Sequence, residues 1–202
     1  MKSFAQFLEE GKDAPIFHGT EWTRASKIYQ SDSLLGGTHH STYAARVIPA
    51  LLGGSHRNIP VGICFSRSLD YAQWFAGSLR GMPTAVVVFE VDTRRLSHNY
   101  RIYPINYRAS GADPDTFRNT DHSRYSSRYT WNGGHTGTQQ FEEFVEGGIK
   151  PFLKYVTKIH AFVSQTRIDH ITGPEDDDLF EPKPAFWDDP RLVIHLVKPR
   201  DF

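Results

Sequence analysis

The chain has 202 residues, a length that suits one domain or one domain with a large insertion. Hydrophobic residues make up 39% of the chain and charged residues 23%, a balance that permits a packed core and argues against global disorder. The formal net charge is zero, so the whole chain lacks the basic excess that marks many nucleic-acid-binding proteins.

The sequence favours a reducing compartment. The single cysteine, Cys64, excludes an internal disulfide framework and a cysteine-rich zinc site. The first ten residues contain no apolar run of signal-peptide length. No stretch approaches the ~20 apolar residues that span a bilayer. We therefore expect a cytoplasmic protein with no membrane partner.

The apolar patterns predict short elements along the chain. In chain order they are a helix at 3–10, a strand at 15–18, a helix at 23–29, an apolar segment at 41–52 that Pro49 kinks or ends, a strand at 61–65 with a helix after it, strands at 85–91 and 141–145, a short helix at 149–156, and strands at 159–163 and 192–197. Polar loops are predicted at 106–140 and 172–189. Several short strands with few helices predict one α+β domain over residues 1–202, with a mostly antiparallel sheet.

The first candidate segment is Phe17-His18-Gly19-Thr20, at the end of the first predicted strand. An imidazole there can hydrogen-bond the hydroxyl groups of a ribose, and glycine permits a close approach of the backbone to a ligand amide. A histidine at a strand end can equally well satisfy a nearby loop carbonyl. The segment alone favours that simpler interpretation.

The second segment runs from Gly62 through Phe65 to Tyr71 and predicts a strand, a turn and a helix. A tyrosine ring near the start of the helix can stack on a flat heterocycle, or it can belong to the core. Ser66 and Ser68 are explained as well by helix capping as by contact with a ligand.

The third segment places Glu142 and Glu143 at the start of an apolar strand. Strand alternation puts Glu143 on the same face as Phe141 and Val145, where a carboxylate is costly unless it has a partner or a task. A carboxylate beneath a ribose can stabilise an oxocarbenium-like transition state. Solvated glutamates on an exposed edge strand are the alternative. We prefer Glu143 as the catalytic residue and keep Glu142 in reserve.

Taken together, the three segments resemble the ADP-ribosyltransferase family, in its diphtheria-toxin-like and poly(ADP-ribose)-polymerase-like branch. The resemblance rests on Phe17-His18-Gly19-Thr20, on Gly62-Ile63-Cys64-Phe65 followed by Tyr71, and on Glu143-Phe144-Val145. It implies a split pair of antiparallel sheets around an NAD cleft. It also implies an enzyme that consumes NAD and transfers ADP-ribose to a macromolecule.

The resemblance assigns a role to each matching residue. His18 would hold the adenosine-side ribose, Gly19 the nicotinamide amide through its backbone, and Tyr71 the nicotinamide ring. Glu143 would act on the nicotinamide ribose. The expected NAD-binding set is His18, Gly19, Thr20, Ser66, Ser68 and Tyr71. No metal is expected.

Three departures from the family pattern stand out. Cys64 occupies the position of the first stacking tyrosine, so half of the expected aromatic sandwich is missing, and Phe65 or an aromatic residue of the 106–140 loop would have to replace it. The stretch from Phe65 to Tyr71 is shorter than in the polymerases.

Phe141 stands two residues before Glu143, so the Glu-x-Glu pair of arginine-specific transferases is absent in that register. In the other register Gln140-x-Glu142 matches the Gln-x-Glu form of some bacterial toxins, which is the reason for keeping Glu142. The compact chain resembles phage or prophage modifying enzymes, by analogy only. Its expected location is therefore the cytoplasm of the producing or infected cell.

Several alternatives compete with this interpretation. The acceptor is expected to be a protein, while Arg118, Arg124 and Arg128 keep a nucleic-acid acceptor open. An RNA 2′-phosphotransferase shares the fold and would use basic residues to grip a phosphate, for which the chain offers Arg24, Arg67 and Arg80. A non-catalytic binding module is supported by Cys64. A metal hydrolase built on His39, His40 and His56 lacks metal-ligand spacing.

Overall fold

The computed structural model describes residues 14–36, 62–78, 85–105, 142–174 and 181–197. The strands in these ranges are β1 Ile16–Glu21, β2 Gly62–Ser66, β3 Ala85–Val91, β4 Ile102–Ile105, β5 Glu142–Glu146, β6 Val156–Val163 and β7 Leu192–Leu196. The helices are α1 Trp22–Ser31, α2 Leu69–Ser78, α3 Thr93–Ser97 and α4 Gln165–Thr172, with a 3-10 turn at Leu153–Tyr155. The segments predicted at 3–10 and 41–52, the loop at 106–140 and the acidic run Glu175–Asp178 lie outside the described residues.

The seven strands form one sheet in the order β4-β5-β2-β1-β3-β6-β7. Every neighbouring pair is antiparallel except β6 and β7, which run parallel. Parallel neighbours need a crossover connection, and α4 lies in the connection between these two strands. The predicted α+β class and the mostly antiparallel sheet are confirmed.

In the middle of the sheet, the neighbouring strands β1 and β2 are paired over a very short length. A single register pair, Phe17 with Ser66, joins these two strands. By comparison, β1 and β3 share a continuous ladder from Ile16–Val91 to Glu21–Val86. The strands therefore form one connected sheet, with a junction between a β4-β5-β2 part and a β1-β3-β6-β7 part.

Both faces of the sheet are covered by helices. On one face Ile16, Phe65 and Phe89 join the larger core, to which α1 contributes Trp22, Ala25 and Ile28. On the other face α2 packs Ala72 and Ala76 against Val86 and Val88. The first and second helices thus lie on opposite sides of the β1–β2 junction.

One predicted element differs in the structure, and three observed elements were not predicted. The helix predicted at 149–156 is a 3-10 turn at Leu153–Tyr155, because β6 already begins at Val156. Val156 and Thr157 are β-branched and favour a strand over a helix. The unpredicted elements are the strand β4 and the short helices α3 and α4, whose N-caps are Asp92 and Ser164.

Candidate functional site

The three candidate segments lie on adjacent strands, because β5, β2 and β1 are consecutive in the sheet. Phe65 pairs with Glu143 and Ser66 with Glu142. Phe17 pairs with Ser66, so the next position of β1, His18, faces Phe65. Positions 18, 65 and 143 therefore form one cross-strand row. Two strand spacings, roughly 10 Å, separate the ends of this row.

His18 is fixed at the junction by two contacts. Its Nδ1 lies 3.1 Å from the carbonyl oxygen of Cys64, and its ring meets the Phe65 ring edge-on at 5.7 Å between centroids. A carbonyl oxygen only accepts, so Nδ1 carries the proton and donates it. In the neutral ring Nε2 is then an acceptor. The side chain thus reaches across the point where β1 and β2 separate.

The imidazole of His18 is neutral at physiological pH. Desolvation by burial lowers the pKa of His18 from 6.5 to about 4. The hydrogen bond to the Cys64 carbonyl opposes this shift, and the positive charge of Arg24 adds to it. Nε2 is therefore available to accept a hydrogen bond from a hydroxyl group at pH 7.

Gly19 is required by helix packing. A Cβ at this position would overlap the carbonyl oxygen of Ala72 and would lie 3.1 Å from the Cβ of Ala76. The sequence analysis attributed the glycine to the approach of a ligand, whereas on this side the approaching group is the backbone of α2. Thr20, on the next position of β1, is buried.

Ser66 and Ser68 build the corner between β2 and α2. The Ser66 hydroxyl accepts from the backbone N–H of Ser68 at 2.9 Å. The Ser68 hydroxyl accepts from the N–H of Tyr71 at 3.2 Å. Both hydroxyl groups thus satisfy N–H groups at a helix start, in the geometry of N-terminal capping. Of the two interpretations left open by the sequence, these contacts favour capping.

Tyr71 belongs to an aromatic cluster on the first turns of α2. Its ring centroid is 5.7 Å from that of Trp74 and 6.2 Å from that of Phe75, with ring planes tilted by 30° and 33°. Tyr71 is 7% exposed and Phe75 is 43% exposed. The i, i+3 spacing of Tyr71 and Trp74 on a helix is the sequence signal that predicts this contact.

The site residues divide between the two sides of the sheet. His18 lies on the same face of β1 as Ile16, which belongs to the larger core. The helix α2, which carries Tyr71, packs on the opposite face of the sheet. His18 and the helix that carries Tyr71 therefore lie on opposite faces of the sheet, with the β1–β2 junction between them.

The structure describes only some of the residues behind the alternative functions. The guanidinium group of Arg67 donates from Nη1 to the carbonyl oxygen of Ala14 at 3.0 Å, a structural contact. Arg80, His39, His40 and His56 lie outside the described residues. Within the described ranges, no group of three or more histidine, cysteine or acidic residues could hold a metal ion.

In the part of the chain that the structure describes, none of the helices has the length and apolar character needed to cross a membrane. No family model matches the chain, and no curated protein matches it in sequence.

Proposed function

We propose that the chain is a mono-ADP-ribosyltransferase, which cleaves NAD and transfers ADP-ribose to a macromolecular acceptor. The observation that carries the proposal is the cross-strand row. His18, Phe65 and Glu143 come from three separate motif segments, and they occupy one row on three neighbouring strands. The row ends in a neutral imidazole at one side and in a glutamate position at the other.

The topology supports the same proposal. The family resemblance implies two antiparallel sheets with NAD in the cleft between them. In the strand order β4-β5-β2-β1-β3-β6-β7, the shortest pairing is between β2 and β1, which share one register pair. NAD would bind at this junction, where both faces of the sheet are within reach of one extended ligand.

The proposed binding roles follow from the hydrogen-bonding capacity of each residue. Nε2 of His18 accepts from a hydroxyl group of the adenosine-side ribose, because Nδ1 is committed to the Cys64 carbonyl. The backbone of Gly19 pairs with the nicotinamide carboxamide. Tyr71 stacks on the nicotinamide ring, and Trp74 is the neighbouring ring that can contribute in place of the aromatic residue missing at Cys64.

The proposed catalytic role belongs to Glu143. Loss of nicotinamide leaves positive charge on the ribose, and a fixed carboxylate close to that ribose stabilises the transition state. The register supports Glu143 over Glu142, since Glu143 pairs with Phe65 in the row and Glu142 pairs with Ser66, one of the capping serines.

The proposal is tested by incubating the protein with NAD labelled in the adenosine half and a cell extract. We expect transfer of label to macromolecules by the wild type and by Glu142→Ala, and loss of transfer on Glu143→Ala. Protease and nuclease treatment of the labelled product then identifies the acceptor class, which we expect to be protein. Label transfer that survives Glu143→Ala but not Glu142→Ala would reverse the assignment of the glutamates. NAD binding without transfer or hydrolysis would contradict the enzyme and favour a binding module.

A further inference from the structure

A second group of polar side chains lies away from the row, across β3, β6 and β7. Nε2 of His160 is 3.1 Å from Oε2 of Glu90, and Nδ1 of His160 is 3.0 Å from Nε2 of His195. The three residues form a continuous hydrogen-bonded chain from an inner strand to an edge strand. His160 is 6% exposed, so the middle of this chain is removed from solvent.

The positions of the protons follow from the donors and acceptors. A carboxylate only accepts, so Nε2 of His160 carries a proton that it donates to Glu90. In the neutral ring Nδ1 of His160 is then an acceptor, and Nε2 of His195 donates to it. A single proton thus lies between the two facing ring nitrogens.

The number of protons that this arrangement can accept is limited. One added proton is tolerated, because the outer nitrogen of His195 is free of the His160 contact and can take it. A second added proton would place hydrogens on both facing nitrogens, which then repel each other at 3.0 Å. Contact between the two rings therefore requires that at least one of the histidines be neutral.

The surroundings of the two rings favour the state with fewer protons. Burial, followed by the charge of His160, lowers the pKa of His195. Apart from Glu90, the described charged side chain at this cluster is Lys158, whose Nζ is 3.4 Å from Oε2 of Glu90. Desolvation raises the pKa of Glu90, but hydrogen bonds from His160, Thr157 and Lys158 outweigh it and lower the pKa overall. The carboxylate thus stays charged and holds His160 in place.

β7 is the last strand of the sheet, and few of its side chains pack on the rest of the molecule. It pairs with β6 from Ile159–Leu192 to Val163–Leu196. Ile194 and Leu196 remain 42% and 63% exposed and so contribute little burial, whereas Leu192 packs against the larger core. His195 also packs inward, stacked on Phe162 at 4.5 Å between centroids and 12° between ring planes. His195 is therefore one of the side chains that anchor β7.

We propose that Glu90, His160 and His195 form a proton-dependent clasp that holds β7 on the sheet, and that a second added proton releases this strand. The clasp stands on its own contacts and is independent of the proposed transferase activity. Release would expose the backbone edge of β6. The clasp is closed at neutral pH and opens as the medium acidifies.

The sign of the pH dependence follows from the protons that each state binds. In the open strand His195 titrates near its ordinary pKa of about 6.5. In the closed strand its pKa is lower, so the closed state binds fewer protons. Attachment of β7 is therefore strongest above about pH 6.5, weakens below that value as His195 takes up the first added proton, which the open strand binds more tightly than the closed strand, and is lost when the second proton breaks the contact.

The test is amide hydrogen exchange of the full chain between pH 7 and pH 5, corrected for intrinsic exchange chemistry. We expect the opening equilibrium of β7 amides to rise at least about tenfold over this range relative to β3 amides. The ratio to β3 removes any global loss of stability. In His195→Phe, which can keep the stack on Phe162, the β7-specific change should disappear. His98→Gln changes an exposed histidine at the C-cap of α3; it is the matched control and should behave like the wild type.

Equal acceleration of β7 and β3 in the wild type, or an unchanged β7 response in His195→Phe, would overturn the clasp. A second measurement on the wild type decides the matter if the variant does not fold. Scalar coupling between ¹⁵N nuclei across the hydrogen bond reports the contact between Nδ1 of His160 and Nε2 of His195. We expect this coupling to vanish as β7 opens. A coupling that persists while β7 exchanges faster would contradict the proposal.

Discussion

At the scale of single residues, His18 is the best-determined member of the candidate site. The sequence offered two interpretations, a ligand-binding imidazole and a histidine that satisfies a loop carbonyl. In the structure Nδ1 donates to the Cys64 carbonyl, and this hydrogen bond leaves Nε2 as the acceptor of the neutral ring. Sequence spacing could not predict this hydrogen bond, since it joins residues 46 positions apart across the β1–β2 junction.

A titration of His18 tests this picture. The folded pKa of about 4 lies below the ordinary 6.5, so the native state binds fewer protons than the unfolded chain. The free energy of unfolding contributed by neutral His18 is complete above pH 6.5 and is lost as the pH falls towards 4. The loss is on the order of 3 kcal/mol.

We expect NMR titration to give a pKa near 4 with the proton of the neutral ring on Nδ1. We also expect His18→Gln to flatten the decline in stability between pH 6.5 and 4, while His98→Gln leaves the decline unchanged. A His18 pKa close to 6.5 would show that the imidazole is solvated and not held in the junction.

At the scale of elements, the sequence predicts a strand or helix well where the residues favour only one type of secondary structure. β3 was predicted at 85–91 and observed at Ala85–Val91, because its side chains are almost all apolar and β-branched or aromatic. α4 was missed because Ile168 and Ile171 are its only strongly apolar residues. The His160–His195 contact could not be predicted, since it depends on parallel pairing between strands separated by α4.

The packing of α2 on β1 gives a prediction at this scale. We expect Gly19→Ala to lower the free energy of unfolding by about 1–3 kcal/mol, because the added Cβ meets the backbone of Ala72 and one of the two elements must move. Urea unfolding measures this change. Gly148→Ala is the matched control, since its Cβ would lie 3.3 Å from the Leu34 carbonyl oxygen and requires a much smaller shift. Equal losses in the two variants would contradict close packing at Gly19.

At the scale of the whole molecule, the strand order of the sheet brings three segments that are distant in sequence into one cross-strand row. The strand order places β1, β2 and β5 side by side, although residues 18 and 143 are far apart in the chain. Strand alternation predicted that Glu143 shares a face with Val145, and the register of β5 on β2 agrees with that alternation. The sequence could not predict that α2 lies across the sheet from His18, because the face on which a helix packs depends on the tertiary fold.

The proposed activity is cleavage of the bond between nicotinamide and ribose in NAD, with Glu143 as the catalytic residue. The most direct measurement is chromatographic detection of nicotinamide released from NAD by the purified protein, without an acceptor. We expect release by the wild type and by Glu142→Gln, and a decrease of at least about a hundredfold in Glu143→Gln, which keeps the size of the side chain and removes its charge. No release by the wild type, or equal release by all three proteins, would contradict the claim.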